Sequence, residues 1–338
     1  MSNDLTKLIE HYPKENWDWF ALMNNSNIPF EYIMSHPEFP WKYEYLSYVQ
    51  NVTMKTIEAN PDIKWNYRML SYNKTFTWDE IQSNNKKWNY NRISLNPSIT
   101  IKIVKANPNI RWCPEGLSSN PNTTIDIVKD NPNIKWNYVR LSKHPNITMD
   151  IVNNNPDLPW NHVALSSNPN ITIEIVIANP QIKWSLHKLI SHPNITWIII
   201  KENPQYRWPY EYFSYNINLT MDIIETNPQI NWDYKQIIKL SHIKWDMVKD
   251  NPKFRDVLGL FSENPNLTFE IVKDNPQIDW DFESLSFNSF KETNKLRSVN
   301  IIKHCYKQYL KNKRFNIMNS MTEFDVLPDE VKLIIANY

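Results

Sequence analysis

Acid–base chemistry is the first possibility to weigh, because carboxylates return along this chain at fixed intervals. Asp126, Asp150, Glu174, Asp222 and Glu270 are separated by 24 residues or by twice that. Carried on packed neighbouring helices, two successive acids would stand roughly 10 Å apart, which a catalytic pair could span. A pair repeated down a whole chain serves no reaction, however. Each acid also lies two residues after a threonine (Thr124, Thr148, Thr172, Thr220 and Thr268), where a carboxylate favours the positive end of a helix. The eight histidines are scattered, and His144 and His192 stand where other repeats carry asparagine before a proline. Cys113 and Cys305 have no metal-site spacing. Gly116 and Gly259, the only glycines, cannot form a phosphate-binding loop. The expectation is no enzyme, no cofactor and no metal.

Tryptophan offers another chemistry, since a ladder of indoles can stack bases or sugars. Trp17, Trp41, Trp65, Trp88, Trp112, Trp136, Trp160, Trp184, Trp208 and Trp232 follow one another at 24 residues, with a single interval of 23. Trp280 continues the register, and Asp256 holds the intervening place. A nucleic-acid platform needs a basic groove, but 37 Lys and Arg face 36 Asp and Glu, for a net charge of +1. Burial explains the ladder better. Each ring would contribute roughly 4–6 kcal/mol at most if removed from water. Nucleic acid is therefore an unlikely partner. Trp78, Trp197 and Trp245 share a second phase near the start of a helix and are the better candidates for exposed contacts, although partial burial remains the favoured expectation for them.

The elements that carry these residues follow from one unit, Trp136 to Pro159. Asn137 is a helix N-cap, and Asn66, Asn89, Asn161, Ser185, Asp233 and Asp281 hold equivalent places. Pro114 suits the first helical position, whereas Pro209 departs from the pattern by occupying the cap itself. Leu141-Ser142, or a close variant, recurs as an apolar contact beside a small residue able to bond back to a carbonyl. Thr148 caps a second helix that turns Ile151 and Val152 inward and ends at Asn155-Pro156. The Asn-x-Thr triplets starting at 122, 146, 170 and 194 come from this turn-and-cap grammar, not from glycosylation. Period-2 alternation is absent, which argues against strands.

The chain therefore reads as an all-α protein: an α-solenoid, a right-handed superhelix of about twelve 24-residue two-helix repeats, forming a curved rod on the order of 100 Å long. Residues 1–16, with Leu5, Leu8 and Ile9, form an N-terminal cap. Residues 17–290 form the array, and 291–338 a helical C-terminal cap. That cap includes an amphipathic helix near 298–311 with Ile301, Ile302, Cys305 and Tyr309 on one face and a basic run of Lys307, Lys311, Lys313 and Arg314. Hydrophobic residues at 41% and aromatics at 13% support a real core. No signal peptide or membrane span is visible. A monomer inside the cell is the default.

The pattern N-P-x-x-x-W-N-Y-x-x-L-S-x-N-P-x-x-T-x-D-I-V resembles the leucine-rich repeat variant, whose unit pairs an α-helix with a 3₁₀ helix. It also resembles tryptophan repeat proteins of giant amoebal DNA viruses, which are uncharacterised; this implies a viral origin, a setting in host cytoplasm or a virion and a host interaction, but supplies no activity. Leu327, Pro328, Val331, Ile334 and Ile335 resemble the first helix of an F-box, which implies recruitment of a cullin-type ubiquitin ligase. The function expected is a non-catalytic scaffold for protein–protein interaction, with specificity in non-consensus positions such as Arg140, Lys143, His187 and Lys188. A ligase substrate receptor and a structural virion component are the alternatives.

Overall fold

The computed structural model describes residues 3–49, 52–84 and 86–290, which belong to one compact unit. Its described residues contain helices and no strand, arranged as an all-α solenoid of two-helix repeats. Each repeat starts where its tryptophan is tied down. Trp136 Nε1 donates to the Asn131 carbonyl at 3.0 Å, and the bond recurs from Trp17 through Trp280. The shortened repeat has lost a turn residue, and there Trp88 donates to Asn84 Oδ1 instead. Two residues on, an aromatic ring meets the next repeat's tryptophan. Tyr138 lies 5.7 Å from Trp160, Tyr67 5.0 Å from Trp88 and Trp19 4.9 Å from Trp41. Where Asp256 replaces tryptophan, fully buried Phe254 fills the gap and Tyr234 packs edge-on against it.

The first helix is short, often a single turn, and its cap matches the sequence grammar. Asn137 Oδ1 accepts from the Arg140 N–H, and Asn66, Asn89, Asn161, Asp233 and Asp281 cap in the same way. Three first helices take 3₁₀ form: Tyr43–Tyr48, Tyr210–Tyr215 and the long Pro252–Glu263. Thr148 Oγ1 accepts from the Ile151 N–H to open the second helix, Met149–Asn153. Thr53 and Thr77 form reciprocal capping boxes.

Two polar ladders join the repeats. The serine after the core leucine bonds back to the carbonyl four residues earlier, as Ser71 does to Tyr67 at 2.7 Å. It also accepts the cap N–H of the next repeat, as Ser142 does from Asn161 and Ser214 from Asp233. The exception at Pro209 fits this role: proline has no N–H to give, and the preceding repeat carries Ile190 in place of serine. The turn asparagine reaches the other way. Asn168 Nδ2 lies within 2.9–3.1 Å of the Ser142, His144 and Ile147 carbonyls, and Asn216 and Asn264 repeat the triad. Asn146 and Asn170 of the Asn-x-Thr triplets spend their amides on the preceding repeat as well.

The array does not end as an open rod. Twelve first helices run from Trp19–Asn24 to Phe282–Leu285, and eleven second helices follow them, from Phe30–Ser35 to Phe269–Asp274. The helix Asp4–His11, expected as an N-terminal cap, packs against Phe269–Asp274 and supplies the twelfth. Every inter-repeat device is reproduced across this junction. Ser286 Oγ accepts from the Asp18 N–H at 3.0 Å, and Asn25 Nδ2 donates to the Ser286 and Asn288 carbonyls. Asn27 donates to Ser289, and Phe282 meets Trp17 at 5.1 Å. Residues 3–290 therefore form a closed ring. Almost all of its tightest helix-to-helix approaches run between successive first helices, which places these helices on the inner side of the curve and the second helices outside.

Three outcomes follow from these contacts. Leu5, Leu8 and Ile9 are fully buried, so Leu8→Ala should cost about 3 kcal/mol in urea unfolding. Deleting residues 1–12 should uncover both faces of the junction and make the shortened chain self-associate more than the full chain in analytical ultracentrifugation. An added Cβ at Gly259 would lie 2.3 Å from the Asp279 carbonyl oxygen, so Gly259→Ala should destabilise by about 1–3 kcal/mol in the same assay. His144 and His192 take the place of turn asparagines. Nδ1 of each accepts a backbone N–H, and Nε2 bonds the Asn120 or Asn168 carbonyl. Burial holds both imidazoles below the ordinary histidine range. The unfolded chain then binds protons that the ring refuses, so stability should fall as pH drops below about 6.5. The double variant His144→Asn/His192→Asn keeps the bonds without titrating and should flatten the thermal-melt pH profile between 7 and 5.

Candidate interaction surface on the inner face

Most consensus polar side chains are consumed in holding the repeats together, so any binding surface must come from positions that vary. On the first helix these lie three, four and seven residues after each anchor, and in the repeat of Trp136 they are Val139, Arg140 and Lys143, all exposed. In the repeat of Trp184 they include His187 and Lys188, also exposed. The four side chains singled out from sequence therefore share one face, the inner wall of the ring.

The same register positions hold residues that the sequence reading did not single out. Phe20 lies 5.0 Å from Tyr45 and 5.5 Å from Tyr48, which lies 5.8 Å from Tyr72. The Arg92 guanidinium lies over the Tyr72 ring at 4.4 Å. Contact between equivalent positions of successive repeats makes this a continuous ladder across four repeats. A second aromatic group, His187, Tyr212 and Tyr215, lies further round the wall. The usable signal was each residue's offset from its tryptophan, which groups side chains far apart in sequence.

Charge divides the wall into two arcs. From the repeat of Trp65 to that of Trp184 the exposed positions carry Arg68, Arg92, Arg140, Lys143 and Lys188 against Glu115 alone. The remaining repeats carry Glu44, Glu211, Glu263 and Glu283 with Lys235 and Lys239, and Lys239 pairs with Glu263 at 2.6 Å. A chain neutral overall thus presents a cationic arc beside an anionic one.

Other expected positions fall elsewhere. Trp78, Trp197 and Trp245 are partly buried, each against an anchor tryptophan: Trp112, Trp232 and Trp280. Leu327, Pro328, Val331, Ile334 and Ile335 lie outside the described residues, as do the helix expected near 298–311 and its basic run. Among the described residues, no group of three or more His, Cys, Asp or Glu is placed to hold a metal ion, and no helix is long and apolar enough to cross a membrane. Comparison with models of known protein families, with curated proteins and with solved structures gives no match.

Proposed function

We propose that this protein is a non-catalytic scaffold that holds a protein partner against the inner wall of its ring. The observation carrying this reading is the segregation of roles: ladder residues bind repeat to repeat, while exposed aromatic and cationic side chains gather on one concave face. Twelve repeats at the usual helix spacing of 8–10 Å give a mean radius of roughly 15–19 Å. Allowing for the inner helices and their side chains leaves a passage on the order of 10 Å, the width of one helix or an extended segment. Closure also leaves no free repeat end on which a second copy would stack, which supports a monomer. A setting inside an infected host cell rests on the resemblance to giant-virus repeat proteins.

Affinity capture from host-cell lysate, with the full chain, tests the reading. Reversing Arg140, Lys143, His187 and Lys188 to glutamate should reduce recovery of specific partners at least tenfold while leaving the circular dichroism melt in place. An unchanged partner set would overturn it. The F-box-like residues 327–335 favour a second reading, in which the ring is the substrate receptor of a cullin-type ligase. A chain ending at Asn319 should then lose ligase subunits and keep its other partners.

A further inference from the structure

The inner wall has one recess built differently from the rest. Four residues after the anchor, successive repeats carry Arg92, Gly116 and Arg140. Elsewhere this position holds side chains as large as Tyr45, Met69, Tyr212 and Gln236. Gly116 lets its helix pack close against the preceding one, and beside it lies a cavity of about 470 Å³ lined by Tyr72, Arg92, Glu115 and Arg140 together with other first-helix residues. Glycine is required there, since a Cβ would lie 2.8 Å from Ser94 Cβ. The two arginines reach the recess from the repeats on either side. Arg92 is steadied by the face of Tyr72, and among the described residues neither guanidinium is in an ion pair. Glu115 balances one of the two charges and leaves the other.

From this arrangement we infer that the recess is a subsite for an oxyanion side chain, a carboxylate or a phosphate, presented by an extended peptide segment of the partner. Guanidinium groups match planar carboxylate and tetrahedral phosphate through paired N–H donors. The neighbouring aromatic ladder of Tyr48 and Tyr72 supplies flat contact area to the flanking residues. The inference rests on the proposed role of the inner wall and fixes which chemistry that wall selects.

Fluorescence anisotropy with the full chain and three labelled decapeptides tests it. One peptide carries two central glutamates, one carries two central phosphoserines, and one carries lysines. Binding of either acidic peptide, weakening as salt rises, is the expected result, and the stronger of the two identifies the source of the oxyanion. Arg92→Gln/Arg140→Gln should weaken that peptide at least tenfold. Lys235→Gln, on the far arc of the same wall, should change it less than twofold. Failure of both acidic peptides to bind better than the lysine peptide overturns the inference, as does an equal loss from Lys235→Gln. The parent reading is separable in the lysate experiment. If the four-residue reversal abolishes capture while Arg92→Gln/Arg140→Gln leaves it intact, the recess is not the subsite and the inner wall still binds.

Discussion

The structure depends on hydrogen bonds that no repeat can complete alone. A turn such as His144 to Ile147 points carbonyl groups at the following repeat, whose asparagine, Asn168, satisfies them through its amide. The serine that ends most first helices likewise waits for a cap N–H from its neighbour. A buried acceptor without a donor costs on the order of 1–3 kcal/mol, so an exposed repeat end carries a penalty beyond its uncovered apolar surface. Closing the ring removes both ends. The first and last repeats meet through the serine, asparagine and aromatic contacts used everywhere else, without a separate capping structure at that junction.

The closure also accounts for the order of residues along the chain. The described array ends on a first helix, Phe282–Leu285, followed by the turn at Ser286 to Phe290, and its missing outer helix comes from the opposite end of the sequence as Asp4–His11. One turn of the ring is thus made from two distant segments, and Asp18 and Ser286 become neighbours across 268 residues. Most other polar contacts between repeats span 18 to 26 residues. The junction is noncovalent and rests on the fit of Leu5, Leu8 and Ile9 against the core.

Much of this was legible in the sequence because the grammar is local and repeated. The tryptophan beat, the Asn137 and Thr148 caps and the leucine–serine pair each fix a short stretch of backbone, and twelve copies make the pattern plain. Ring closure was not legible. Whether an array closes depends on the difference in spacing between its two helix layers, a sum of small packing differences that no single residue carries. Asp18, Asn25 and Asn27 look like ordinary members of an imperfect first repeat. On the inner wall, Arg140, Lys143, His187 and Lys188 stood out as departures from consensus, whereas Tyr45, Tyr48 and Tyr72 form one surface only after the repeats are superposed in space. Trp78, Trp197 and Trp245 are sporadic, which made them the better contact candidates among the tryptophans, with partial burial the favoured expectation. Their place at the start of the second helix half-buries them against the anchor two repeats further on, Trp112, Trp232 and Trp280.

Asp4–His11 has an unusual consequence during synthesis. It leaves the ribosome before every other helix of the ring, yet one of the two neighbours it packs between is completed only after residue 274. Intermediate repeats can dock in order as they emerge, each finding its predecessor already in place. The opening helix meanwhile keeps one flank bare for most of translation. Slow elongation lengthens that interval, and crowding by other copies on the same message offers the bare flank a substitute partner. The architecture that closes the described repeats on one another therefore concentrates its exposure to misassembly in the minute or less before the last repeat arrives.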